Sequence, residues 1–153
     1  MLRHRIIYRV IYGDTDKMGV VYHANYLRWF EMGRTETFRH LGLAYKEIEK
    51  KGILLPVSEV WCKYLHPARY DDMLIIETGL DEGIKGGMKF DYTIFRQPED
   101  GMTDEKPLVR GYTRHACITP EGRVVRPPRF LQQLIEAYAA SHSNEKEAAD
   151  QDN

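Results

Sequence analysis

Residues 12–36, YGDTDKMGVVYHANYLRWFEMGRTE, place two aspartates and a histidine directly ahead of an aromatic-rich run. The segment GDTDKMG (13–19) has turn chemistry: glycine at both ends and short acids that bond their own backbone in Asx turns. From Ala24 to about Leu41 the pattern changes. Apolar or small residues recur at Tyr26, Trp29, Phe30, Gly33, Thr37, Phe38 and Leu41, close to one every 3.6 positions, which predicts a helix buried along one stripe. Asn25 is the expected N-cap and Gly42 the expected stop. At 1.5 Å per residue such a helix is roughly 26 Å long. Gly33 inside it costs about 1 kcal/mol of propensity, so a close backbone approach by a neighbour is expected there.

Around this helix the chain reads as β-structure. HRIIYRVIY (4–12) is rich in β-branched and aromatic residues. After a short helical piece (Ala44–Lys51) come four strand-like runs: LPVSEVWCKYLH, MLIIETGLDEG, MKFDYTIFRQ and LVRGYTRHACIT. Turn-forming PARYDD, GIKGG, PEDGMTDEKP and PEGR separate or follow them. In the third run Met88, Phe90, Tyr92 and Ile94 share one face, as a half-buried antiparallel strand requires. A C-terminal helix is expected after Pro128, followed by a polar tail without a fold of its own. The prediction is an α+β fold: one domain over 1–140 with a sheet curled around the long helix, and a disordered tail over 141–153.

Composition narrows the function classes. Apolar residues make up 42% and charged residues 29% of the 153, with a net charge of −1. No basic field is available to recruit nucleic acid. The tail carries four acids and one lysine, which leaves the body at +2. Cys62 and Cys117 form no C-x-x-C pair, and no run approaches membrane-spanning length; free thiols in a cytoplasmic protein are the expectation. The histidines show no ligand spacing, so no metal and no cofactor are expected. GIKGG matches neither a P-loop nor a dinucleotide fingerprint.

GDTDKMGVVYHANYLRWFEMGRTE is similar to the signature of hotdog-fold thioesterases of the 4-hydroxybenzoyl-CoA thioesterase and Tol–Pal-cluster acyl-CoA thioesterase type. YLHPARYDD and GYTRHACIT resemble later segments of that family, and the likeness spans residues 5 to about 130. It implies a five-stranded antiparallel sheet wrapped on a long helix, and hydrolysis of an acyl-CoA. By the resemblance the catalytic carboxylate falls on Asp16 and the carbonyl-polarising backbone N–H on His23, with Gly19, Val20 and Tyr22 facing substrate. The hairpin EGIKGGMK (82–89) would lie near the nucleotide, making Lys85 and Gly86 substrate contacts, with Arg126 and Arg129 further phosphate candidates. Histidine at 23 matches the acyl-CoA branch of the family, whereas the hydroxybenzoyl branch has tyrosine there. Resembling proteins assemble as dimers of dimers, so a homotetramer is expected; an exposed sheet face and open strand edges also call for a partner.

The chemistry suits these residue types. A helix start offers unpaired N–H groups and partial positive charge, which polarise a thioester carbonyl and hold the oxyanion that follows. A carboxylate opposite can attack the carbonyl or activate water. Sequence leaves those roles open, and also leaves open acyl carrier protein as the thiol carrier, a non-catalytic acyl-thioester binding module, and hydration chemistry. The remaining residues have plainer readings. Asp14 is expected to support the turn; Tyr26, Trp29 and Phe30 to form core. Glu31 is expected to pair with Arg28 or Arg34 at the surface, and Asp71–Asp72 to form a turn. The His23 imidazole is expected to line the pocket.

Overall fold

Met88, Phe90, Tyr92 and Ile94 all turn inward and none exceeds 4% exposure, the alternation that makes one face of a sheet a core wall. The computed structural model describes residues 1–81, 86–99 and 104–151, with side chains to residue 140. In chain order it contains β1 (Leu2–Arg9), a 3-10 turn (Tyr12–Asp14), α1 (Asn25–His40), α2 (Tyr45–Lys50), β2 (Val57–Tyr64) and β3 (Met73–Leu80). There follow β4 (Met88–Arg96), β5 (Lys106–His115), the two-residue strands β6 (Cys117–Ile118) and β7 (Val124–Val125), and α3 (Arg129–Gln151). Five strands form one antiparallel sheet in the order β1-β3-β4-β5-β2. The expected boundary at 140 falls inside α3.

Helix α1 packs against one face of this sheet, on β1 and β3, and its whole expected stripe is buried. Gly33 sits against β3: a Cβ there would be 2.3 Å from Thr78 Oγ1 and 3.1 Å from Ile76 Cγ2. Gly111 of β5 opens a similar space for the Phe30 ring, which stacks on Tyr92 at 4.2 Å between centroids. Glycine is thus used where two elements touch, on a helix and on a strand. The C-terminal stop is as expected. Gly42 has φ +90°, its N–H donates to Arg39 O at 3.0 Å, and Leu43 N–H donates to Phe38 O at 3.1 Å. These are the two bonds of a Schellman motif.

Two expectations are corrected. Asn25 does not cap α1; Ala24 holds that position, and the Asn25 amide donates to the Asp14 carbonyl at 2.8 Å. Its hydrogen bond therefore goes to the preceding loop and ties that loop to the helix. The final run LVRGYTRHACIT is not one strand either. β5 ends at His115, Ala116 N–H donates to Pro56 O, and Cys117–Ile118 pairs with β7 in a separate ribbon. Pro56 has no N–H with which to extend the β2–β5 ladder, so the chain turns there.

The two sheet edges differ. β1 presents arginines: Arg3 and Arg5 bond Glu77, Arg5 also bonds Glu105, and Arg9 reaches Asp71. Charge of this kind blunts an edge. β2 instead exposes Val57, Val60, Trp61 and Tyr64, each at 46–48%.

Asp14 organises the loop between β1 and α1. It is 3% exposed, and its Oδ2 accepts from the Tyr8 hydroxyl at 2.9 Å and from Ile11 N–H at 3.0 Å. Asp14→Ala would leave both donors without an acceptor, which costs about 1–3 kcal/mol per buried group. Urea unfolding of this variant should show a loss of about 2–4 kcal/mol, with the slope unchanged.

Candidate active site

The segment after Asp14 folds back as a tight hairpin. Gly19 N–H donates to Asp16 O at 3.0 Å, Asp16 N–H to Val20 O at 2.9 Å, and Thr15 bridges Val21. Gly19 has φ +75°, the left-handed conformation that follows a type I turn in a three-residue hairpin loop. Asp16 Oδ1 accepts from Met18 N–H at 2.8 Å, the Asx turn that short acids favour. This leaves Asp16 half-buried, with its second carboxylate oxygen uncommitted among the described residues.

The chain then enters α1. Val21 N–H donates to Ala68 O, Tyr22 N–H to Asp14 O and Asn25 N–H to Tyr22 O, at 2.8, 2.9 and 3.0 Å. Between them, His23 N–H has no acceptor among the described residues. The His23 carbonyl is held from the other side by the Tyr64 hydroxyl, which donates to it at 3.0 Å. The His23 ring lies beside Tyr22 at 4.5 Å and edge-on to Tyr64 at 6.3 Å.

Asp16 and His23 line the same cavity, of about 260 Å³, with Val20, Tyr26, Tyr64 and His66. Such a volume suits a small group and its immediate neighbours, just below the usual range for a whole ligand. Tyr64 is pushed up to about 12, first by burial and then by its bond with the Cys62 thiol, so the phenol remains a proton donor across neutral pH. Tyr26 is also raised by burial, and its hydroxyl oxygen accepts from Ala68 N–H at 3.0 Å. Burial raises both the Cys62 and Cys117 thiols, which removes them as nucleophiles near neutral pH.

The other candidates fall as follows. Gly19 shapes the turn, and Tyr22 is 47% exposed beside His23 without lining the cavity. Gly86 stands just ahead of β4, apart from the cavity, with open space around it; Lys85 lies outside the described residues. Arg126 and Arg129 are exposed near β7 and the start of α3 and also lie apart from the cavity. Glu31 forms no ion pair with Arg28 or Arg34: it is exposed on α1, and Arg28 turns instead to Asn25 Oδ1 at 3.5 Å. Asp72 accepts from Arg69 N–H at 2.8 Å and pairs with Arg96, the structural use expected of it. Tyr64, His66 and the cavity-lining role of Tyr26 were not legible in sequence. Their signal, a strand end running into His66–Pro67, carries no chemistry until β2 is laid beside the start of α1.

The sequence profile of the Thioesterase-like superfamily matches residues 10–136. The chain is 43% identical over 129 residues to the acyl-CoA thioester hydrolase YbgC of Escherichia coli, covering 84% of this chain and 90% of that one. Among solved structures, a DHNA-CoA thioesterase from Staphylococcus aureus superposes with a TM-score of 0.78 at 29% identity, over 97% of this chain and 96% of the other. The 4-hydroxybenzoyl-CoA thioesterase of Pseudomonas sp. strain CBS-3 gives 0.76 at 23%, covering 86% of this chain and 98% of that one, a likeness of fold.

Proposed function

Because the chain belongs to the Thioesterase-like superfamily, we propose that it is an enzyme hydrolysing an acyl-CoA to the free acid and coenzyme A, with Asp16 and the backbone at His23 as its catalytic groups. The observation that carries this reading is the shared cavity: Asp16 and His23, whose N–H has no acceptor among the described residues, line one small space at the leading end of α1. A thioester carbonyl bonded to His23 N–H becomes more electrophilic, and one such donor contributes about 2.7–4 kcal/mol as negative charge develops on its oxygen. The positive end of α1 acts in the same sense.

Two routes use these groups. In one, an Asp16 oxygen attacks the carbonyl carbon, the C–S bond breaks with the electron pair leaving on sulfur, and water opens the resulting anhydride. In the other, Asp16 takes a proton from water as that water attacks, and the proton later reaches the departing thiolate. Asn25 N–H bonds the Tyr22 carbonyl, which shares a peptide unit with the His23 N–H, and Tyr64 holds the next unit through the His23 carbonyl, so the N–H need not reorient during the reaction. Val20 and Tyr26 supply apolar wall on either side.

A thiol-release assay over short, long, branched and aromatic acyl-CoAs tests the function. Turnover of at least one class is expected; tight acyl-CoA binding with no thiol released would point to a binding module instead. Acyl carrier protein thioesters belong in the same panel.

We further propose a homotetramer, built as a dimer of dimers, in the cytoplasm. Support comes from the uncovered apolar side chains of the β2 edge and from two free thiols. Among the described residues no helix is long and apolar enough to cross a membrane. Light scattering at micromolar concentration should return a multiple of the chain mass, and a monomer would contradict the assembly.

A further inference from the structure

A second cavity, of about 280 Å³, lies beside the C-terminal half of α1 and shares no residue with the first. Phe38 and Phe90, both essentially buried and edge-to-face at 5.6 Å, form its apolar part together with Tyr45. Its polar part is Glu31, Arg34, Thr35 and His115.

The hydrogen bonds behind this cavity have one consistent direction. His115 is 3% exposed, and its Nδ1 lies 2.9 Å from the Leu55 carbonyl, which can only accept, so Nδ1 carries a proton. Burial lowers the His115 pKa, the Leu55 hydrogen bond opposes this and Arg34 adds to it; the net direction is down, so near pH 7 the ring is neutral and Nε2 is an acceptor. Thr113 Oγ1, 2.9 Å away, must then donate to Nε2, and it accepts from the Tyr92 hydroxyl at 2.8 Å. Tyr92 is left as an acceptor, with the Arg34 charge near it. The relay runs Tyr92 to Thr113 to His115 to the Leu55 carbonyl, and every donor in it is consumed.

The Arg34 side chain takes part in none of the hydrogen bonds among the described residues, and a guanidinium offers five N–H donors. None of the ion pairs among the described residues uses it. A half-buried cation without an ion-paired carboxylate, at the wall of a cavity with aromatic sides, is suited to receive an anion. Glu31 on the same lining sets a limit, because its charge opposes a dianion more than a monoanion.

We propose that this cavity binds a single carboxylate carried on a small aromatic or apolar body, with Arg34 as its receptor. Two sources supply that chemistry: a free organic acid, or a carboxyl at the far end of an acyl group. Arg34 stands eleven residues beyond His23, roughly 16 Å along the helix direction, so the second source requires a long chain. The site itself does not depend on the thioesterase reading.

The test is calorimetric titration of the wild-type chain with benzoate, its neutral isostere benzamide, and inorganic phosphate. Benzoate is expected to bind about tenfold or more tightly than benzamide, since only the anion makes charge-assisted bonds to Arg34. Arg34→Gln should erase that difference, and Glu31→Gln should strengthen benzoate binding severalfold. Equal binding of benzoate and benzamide, or phosphate binding as tightly as benzoate, would overturn the proposal, and this wild-type comparison holds even if a variant fails to fold. Hydrolysis of ω-carboxyacyl-CoAs against unsubstituted chains of equal length separates the sources. A preference abolished by Arg34→Gln assigns the site to the acyl terminus, and benzoate binding without such a preference assigns it to a free acid. Failure to hydrolyse any acyl-CoA would remove the catalytic reading and leave the titration to be judged alone.

Discussion

Asp16→Asn is expected to lower kcat/KM for the best acyl-CoA by about 10²–10⁴-fold, the range typical of removing a positioned acid–base group. The fold should be almost untouched. Among the described residues the only side-chain bond of Asp16 is the one it accepts from Met18 N–H, and asparagine forms the same Asx turn. A thermal midpoint within about 2 °C of wild type is therefore expected beside a near-total loss of turnover. Asp14→Ala makes the opposite contrast, losing stability through Tyr8 and Ile11 while its carboxylate lies outside the cavity. An Asp16→Asn chain that released thiol at the wild-type rate would end the assignment of Asp16. Turnover in water enriched in heavy oxygen then separates the two routes. Label entering the Asp16 side chain identifies a nucleophile, since a base leaves its own oxygens unexchanged.

Gly33→Ala is expected to destabilise the protein by about 1–3 kcal/mol, although alanine is the better helix former by about 1 kcal/mol. Propensity loses to packing because the new Cβ would stand 2.3 Å from Thr78 Oγ1 and 3.1 Å from Ile76 Cγ2. Thr78 is buried, and of its two other staggered rotamers one brings its methyl group to the same place and the other turns methyl and hydroxyl into the packed core. Its hydroxyl also has no hydrogen-bond partner among the described residues, so Thr78→Ala alone should cost little, within about 1 kcal/mol. The double variant should recover most of the Gly33→Ala loss, short of all of it because Ile76 still presses on the site. Denaturant unfolding of the four chains measures this coupling. Additive effects would mean that α1 and β3 are not as close as the structure has them.

The fold was legible wherever burial imposes a period. The α1 stripe, the alternation of β4 and the stop at Gly42 could be read because a buried face and a left-handed turn restrict which residues fit. Asn25 misled because an asparagine near a helix start is equally suited to capping that helix or bonding the loop before it. The break at Ala116 was hidden because its cause, Pro56, is distant in sequence. The charge on Glu31 and Arg34 suggested a mutual ion pair from spacing alone, yet the two form none and line one cavity instead.

Sequence by itself determined the turn at Asp16–Gly19, the helix that follows and the strand content, since each depends on residues close along the chain. It also brought Asp16 and His23 into view as a pair, through the likeness of one contiguous segment. Only the tertiary structure decided what surrounds them. Tyr64 and His66 reach the cavity because β2 occupies the edge of the sheet beside the start of α1. The relay from Tyr92 to the Leu55 carbonyl joins two strands and a loop whose residues share no local pattern. Short-range backbone preference writes the first kind of information into the sequence order. The second kind exists only after apolar burial has brought separate segments into contact.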